Sequence, residues 1–154
     1  MNNGESKMFN LSGIFETIRC EKGIPLFFED HYERLSGSAK ELDLNLTSSS
    51  KNLRAMTLGE LKKSNLTSAK LKISLLDDSQ INISINPIDK TPEVFKLNIE
   101  KGVDVEYNHK YLKRDLYEKA FKTSKEKGFN EVLFTDKKNE ILECSRTNIF
   151  FILK

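Results

Sequence analysis

Three groups of side chains in this sequence have types and spacing that could do chemistry. Lys110 lies between His109 and the pair Lys113-Arg114. A lysine attacks a carbonyl only as the free amine, and nearby cations and burial both lower its pKa toward that form. Glu143 opens the run Glu143-Cys144-Ser145-Arg146-Thr147-Asn148, a carboxylate followed by two hydroxyls at alternate positions. Arg34 follows His31 by three residues, so the two share roughly one face if that segment is helical. A guanidinium offers a fixed fork of donors that matches phosphate oxygens. Taken singly, each group has a plainer reading. Most of the 25 Lys and Arg residues must be solvated, a glutamate at a strand end is usually a surface residue, and so is an arginine at a helix start. Phe15, Thr17 and Arg19 also alternate along one stretch. They would share one face of a strand, which is as well read as an ordinary half-buried strand.

The elements that would position these residues follow from periodicity. Gly13–Cys20 reads as a strand, Glu21-Lys22-Gly23 as a turn, and Ile24–Phe28 as the second strand of a hairpin. From Glu29 to Leu42 the period changes, with Tyr32, Leu35, Ala39 and Leu42 on one helical face. Ser48-Ser49-Ser50 offers a cap for a second helix from Lys51 to Ser64. Leu71–Leu75 and Ile81–Ile85 alternate around Asp77-Asp78 as another hairpin, and Val94–Ile99 reads as a further strand. Pro87–Pro92 and Val103–His109 are polar connections, the second being the better candidate for a domain linker. Leu112, Leu116 and Ala120 form a helical stripe flanked by Tyr117 and Phe121, and Lys127-Gly128 ends that helix. Glu131–Thr135, Ile141–Glu143 and Asn148–Leu153 read as strands, with a turn over Asp136–Asn139. The class is α+β, with antiparallel hairpins more than βαβ units. A helix of about 15 residues after Lys110 covers roughly 22 Å. A strand of about 6 residues returns roughly 20 Å. This spacing permits Glu143 to come back toward Lys110.

Composition narrows the function classes. A chain of 154 residues forms one domain, or one and part of a second. Its 25 Lys and Arg against 23 Asp and Glu leave a net charge of +2, which gives no reason to expect nucleic acid or an anionic membrane as partner. Cys20 and Cys144 are far apart, and the polar start Met1-Asn2-Asn3-Gly4-Glu5 has no apolar signal core. The expectation is free thiols and a cytoplasmic location. The two histidines and two cysteines lack metal-ligand spacing, and there is no Gly-rich phosphate loop.

Three segments, in order, resemble the fold-type IV pyridoxal phosphate (PLP) enzymes, the class IV aminotransferase and 4-amino-4-deoxychorismate lyase family. Gly13-Ile14-Phe15-Glu16-Thr17-Ile18-Arg19, followed by His31-Tyr32-Glu33-Arg34-Leu35, is similar to the family's "FE-x-x-R" strand and "H-x-x-R-L" helix start. Lys110-Tyr111-Leu112-Lys113 is similar to "K-x-L-N", and Glu143 to Phe150 to "E-x-S-x-x-N-[IL]-F". The resemblance implies a small N-terminal α/β domain over residues 1–103 and the start of a larger cofactor-binding domain over 104–154. It makes Lys110 the Schiff-base lysine and catalytic base, Glu143 the partner of the pyridine nitrogen, and Arg34 the phosphate ligand, with His31 a structural hydrogen-bonding residue. Ser145 and Thr147 would bond cofactor or substrate, and Asn148 would bond backbone. Phe15, Thr17 and Arg19 would line the substrate pocket. The implied activity is transamination between an amino acid and a 2-keto acid in a homodimer. Aminodeoxychorismate lyase is a close alternative, and a non-catalytic remnant or subunit is a third reading. The family's chain continues past the glutamate motif to complete its phosphate cup, so a short variant or a piece of a longer chain is expected here. Lys113 stands where the family often has Asn, and Arg146 where small residues are common. Lys70 or Lys72 lies in a strand where an arginine often appears.

Overall fold

The structure is a computed structural model that describes residues 12–104 and 108–153. The polar start and part of the Val103–His109 connection lie outside the described residues. The fold divides into two compact units, the first running to Asp89 and taking back Asn108–Lys113, the second formed by the rest.

In the first unit, β1 (Gly13–Glu21) and β2 (Ile24–Pro25) form the expected hairpin. Lys22 and Gly23 both have positive φ, the backbone that a tight two-residue hairpin turn needs. The second strand is shorter than its apolar run suggests. Pro25 has no N–H to give the ladder, and Phe27 turns left-handed at φ 50° to start α1 (Phe28–Glu41). Glu29 and Asp30 sit in the first turn of α1 and Lys40 in its last, complementing the helix dipole. The Ser49 hydroxyl caps α2 (Ser50–Ser64) by accepting from the Asn52 N–H at 3.3 Å. β3 (Ser68–Leu76) and β4 (Ile81–Pro87) complete an antiparallel sheet of order β2-β1-β3-β4.

The core of this unit is the period-2 and period-3.6 patterns meeting. Ile14, Ile18 and Cys20 from β1 and Ala69, Leu71, Ile73 and Leu75 from β3 point one way. They pack with Phe28, Leu35 and Ala39 of α1 and Leu53 and Leu61 of α2. Each fully buried Leu or Ile contributes roughly 1.5–3 kcal/mol by leaving water. The other face of β1 carries Phe15, Thr17 and Arg19.

In the second unit, β5 (Leu97–Glu100) pairs parallel with β6 (Glu131–Thr135) through α3 (Asp115–Glu126), and β6 pairs antiparallel with β7 (Ile141–Cys144). One parallel βαβ connection therefore stands beside the antiparallel hairpins. The buried face of α3 differs from the expected stripe. Tyr117 and Ser124 are buried and Ala120 packs beside them, whereas Leu116 is 42% exposed. Leu112 lies outside the helix altogether, because residues 110–112 extend along β1. Asn148–Leu153 is not a strand: among the described residues no ladder pairs with it, and Phe150 to Leu153 are exposed. Apolar content makes a segment ready to be a strand, but a strand exists only when a neighbour takes its N–H and C=O groups. Among the described residues no helix is long and apolar enough to cross a membrane.

Candidate active site

Lys110 is placed by backbone pairing. The Phe15 N–H donates to the Lys110 carbonyl at 2.9 Å, the Leu112 N–H donates to the Gly13 carbonyl at 2.9 Å, and Tyr111 bridges to Ile14. The lysine is thus fixed to the edge of β1, beside the start of the strand that carries Phe15, Thr17 and Arg19. Gly13 allows this close approach. At φ +122° a Cβ there would lie 2.2 Å from the Leu75 carbonyl oxygen and 3.0 Å from a Leu112 methyl. His109 ties the segment to α1 as well, through Nδ1 to Ser38 Oγ at 3.1 Å and Nε2 to Glu41 at 3.4 Å.

Arg34 projects from α1 onto a carboxylate that alternation has turned inward. Glu16 occupies the core phase of β1, between Ile14 and Ile18, and is 2% exposed. Arg34 Nε donates to Glu16 Oε1 at 2.6 Å and Nη2 to Oε2 at 2.5 Å, while His31 Nδ1 sits 2.8 Å from Oε2. Burial pulls the Glu16 pKa up. Hydrogen bonds from Arg34 and His31, with the charges of Arg34 and Lys110, outweigh it and hold the carboxyl below its usual range. The same pair raises the Arg34 pKa, so the guanidinium stays charged. Its Nη1 edge is the one not turned to Glu16.

On the outer face of β1, the Lys72 ammonium lies 4.5 Å from the Phe15 ring centre, within cation–π range. Thr17 faces Lys72 across the ladder and Arg19 faces Lys70. Arg19 is also paired with Glu21 at 2.7 Å.

In the second unit, Glu143 is the exposed penultimate residue of β7, and the Tyr117 hydroxyl donates to its Oε1. Ser145 turns inward: it is 1% exposed, its hydroxyl donates to Glu131 Oε1, and its N–H donates to the Val132 carbonyl at 2.9 Å. Thr147 is exposed and hydrogen-bonds the buried Cys144 thiol, whose pKa burial pushes up. Arg146 lies over Phe121 with its guanidinium carbon 4.0 Å from the ring centre.

Three partners escaped the reading of the sequence: Glu16 for Arg34, Glu131 for Ser145 and Tyr117 for Glu143. For Glu16 a signal exists. A carboxylate in the apolar phase of an alternating strand must find a cation or remain a costly buried charge.

A sequence model of the family described as amino-transferase class IV matches residues 13–154. The chain belongs to that family. Solved structures agree on the class IV fold. A proposed 4-amino-4-deoxychorismate lyase from Legionella pneumophila superposes with TM-score 0.74 at 21% identity, covering 89% of this chain and 57% of that one. A hypothetical aminotransferase from Mycobacterium tuberculosis, in its PLP-bound form, gives 0.74 at 17% identity, with 88% and 56% covered. A proposed branched-chain amino acid aminotransferase from Thermotoga maritima gives 0.70 at 18% identity, with 86% and 50% covered. The chain thus spans 50–57% of the length of these class IV structures. No curated protein sequence matches it. The fold is the α+β, fold-type IV arrangement over most of the chain's length.

Proposed function

We propose that the chain carries the amine end of a PLP-dependent class IV aminotransferase, moving an amino group between an amino acid and a 2-keto acid. The observation that carries this reading is the pinning of residues 110–112 to β1 by two backbone hydrogen bonds, one accepted by the Lys110 carbonyl from Phe15 and one donated by Leu112 to Gly13. A solvated lysine needs no such fixed anchorage. A reacting amine does, because orientation is a large share of catalysis.

The donor set fits the cofactor. Lys110 supplies an amine for the aldehyde, the outward edge of Arg34 supplies donors for the phosphate, and Glu143 supplies a carboxylate for the ring nitrogen. Thr147 is exposed, four residues after Glu143, and can add a hydroxyl. Ser145 serves by tying the end of β7 to β6. When bound, PLP supplies an aldehyde that takes up amines and a protonated ring that draws electrons from the neighbouring carbon. Lys110, as the free amine, would take a proton from the substrate Cα and deliver it to C4′, the carbon that the cofactor's aldehyde supplies. Glu16 keeps Arg34 charged and aimed. Phe15 offers an apolar surface, and Arg19 and Lys72 offer positive charge for a substrate carboxylate. A homodimer of two such chains belongs to the same reading.

The test is the pair of reactions that share this machinery. Purified protein supplied with PLP should transfer an amine to a 2-keto acid, and Lys110→Ala should abolish the transfer. Pyruvate release from aminodeoxychorismate without such transfer would replace this reading with the lyase. Neither activity, with no PLP bound, would leave the non-catalytic reading.

A further inference from the structure

We propose that Tyr117 is a positioning residue for Glu143: its phenol holds one carboxylate oxygen and leaves the other for the ring nitrogen of PLP. The inference rests on the assignment of Glu143 made above.

Glu143 stands at an exposed strand end, where a glutamate samples many rotamers. A ring partner must instead present one oxygen in one direction. Tyr117 supplies the fixed point. It is 4% exposed. Its ring packs on Phe134 with centres 4.6 Å apart, and the Arg114 guanidinium carbon lies 4.1 Å from its ring centre. Two rigid elements, α3 and β6, therefore set where the hydroxyl sits, and that hydroxyl donates to Glu143 Oε1.

The choice of residue argues against a purely packing role. Leu116, one position earlier on α3, is 42% exposed while the tyrosine is buried. A purely apolar core has no use for a phenol at that position. Burial, and after it the hydrogen bond and charge of Glu143, raise the Tyr117 pKa well above the usual tyrosine range. The phenol stays a donor at every pH at which the protein would work.

The test uses the full chain, Tyr117→Phe, Glu143→Gln and the double variant. The ligand is pyridoxamine 5′-phosphate, which cannot link to Lys110 and so reports only phosphate and ring contacts. Affinity is read by titration, and thermal unfolding confirms that each variant folds. Tyr117→Phe keeps the ring packing and removes the hydroxyl, which donates to Glu143 and also accepts from Arg114. It should weaken binding about tenfold, Glu143→Gln should weaken it at least as much, and Tyr117→Phe should add nothing in the Glu143→Gln background. An undiminished Tyr117→Phe penalty in that background would show that the phenol acts through the fold and overturn the inference. So would a weakened Glu143→Gln beside an unchanged Tyr117→Phe. No binding by the wild-type chain, or no effect of Glu143→Gln, would overturn the assignment of Glu143 and the inference with it.

Discussion

Arg34 grips Glu16 with two parallel hydrogen bonds, at 2.6 and 2.5 Å, on a strand whose inward face is otherwise apolar. The pair joins α1 to β1 and aims a guanidinium outward at the same time. Glu16 is almost wholly buried, while half of the Arg34 side chain is in solvent, so the cost of losing the pair falls on the carboxylate. Arg34→Met should destabilise the protein by roughly 3 kcal/mol at neutral pH, measured by denaturant unfolding. A loss near zero would mean that His31 alone satisfies Glu16.

Acid should act through the same carboxylate. The folded Glu16 pKa lies below the ordinary glutamate value of 4.5. The stability it contributes is therefore full above that value and is lost as pH falls through the lower, folded one. Glu16→Gln should flatten the fall in stability below about pH 4.5. Unfolding curves collected across this range would show whether the slope is unchanged, which would remove Glu16 from the account.

Gly13→Ala should be costly twice over. The backbone φ of +122° is strained for any side chain, and the new methyl would meet the Leu75 carbonyl oxygen at 2.2 Å. A loss of about 2 kcal/mol or more is expected. Because Gly13 also accepts the Leu112 N–H, amide exchange at Leu112 should speed up in the variant. Unaltered stability together with unaltered exchange would show that residues 110–112 are held by something else.

Thr135 ends β6 with a buried hydroxyl that finds no hydrogen-bond partner among the described residues. Valine has the same shape without that group. Thr135→Val should therefore stabilise the protein by about 1 kcal/mol, seen as a higher unfolding midpoint. A lower midpoint would mean that the hydroxyl does have a partner.

Much of this architecture was legible because it is local. The alternation of β1, the serine cap of α2 and the Tyr32–Leu35–Ala39 spacing of α1 each lie within a few residues of sequence. What was not legible depends on distant partners. The parallel pairing of β5 with β6 is decided by which strand lies beside which, and periodicity does not encode that. Leu116 and Tyr117 both look fit for burial, and only the position of Phe134 and Glu143 selects the tyrosine. Asn148–Leu153 has strand composition but no pairing edge among the described residues. The site shows the same division. Lys110, Glu143, Ser145 and Arg34 stand in readable motifs, whereas the pairing of Arg34 with Glu16, of Ser145 with Glu131 and of Glu143 with Tyr117 depends on how the elements pack.

The most direct measurement is chemical. The protein would be incubated with PLP, reduced with borohydride, digested and mapped by mass spectrometry. A pyridoxyl group on Lys110, lost in Lys110→Ala, is the predicted result. A label spread over the surface lysines, or none at all, would contradict the claim that this one anchored amine takes the cofactor.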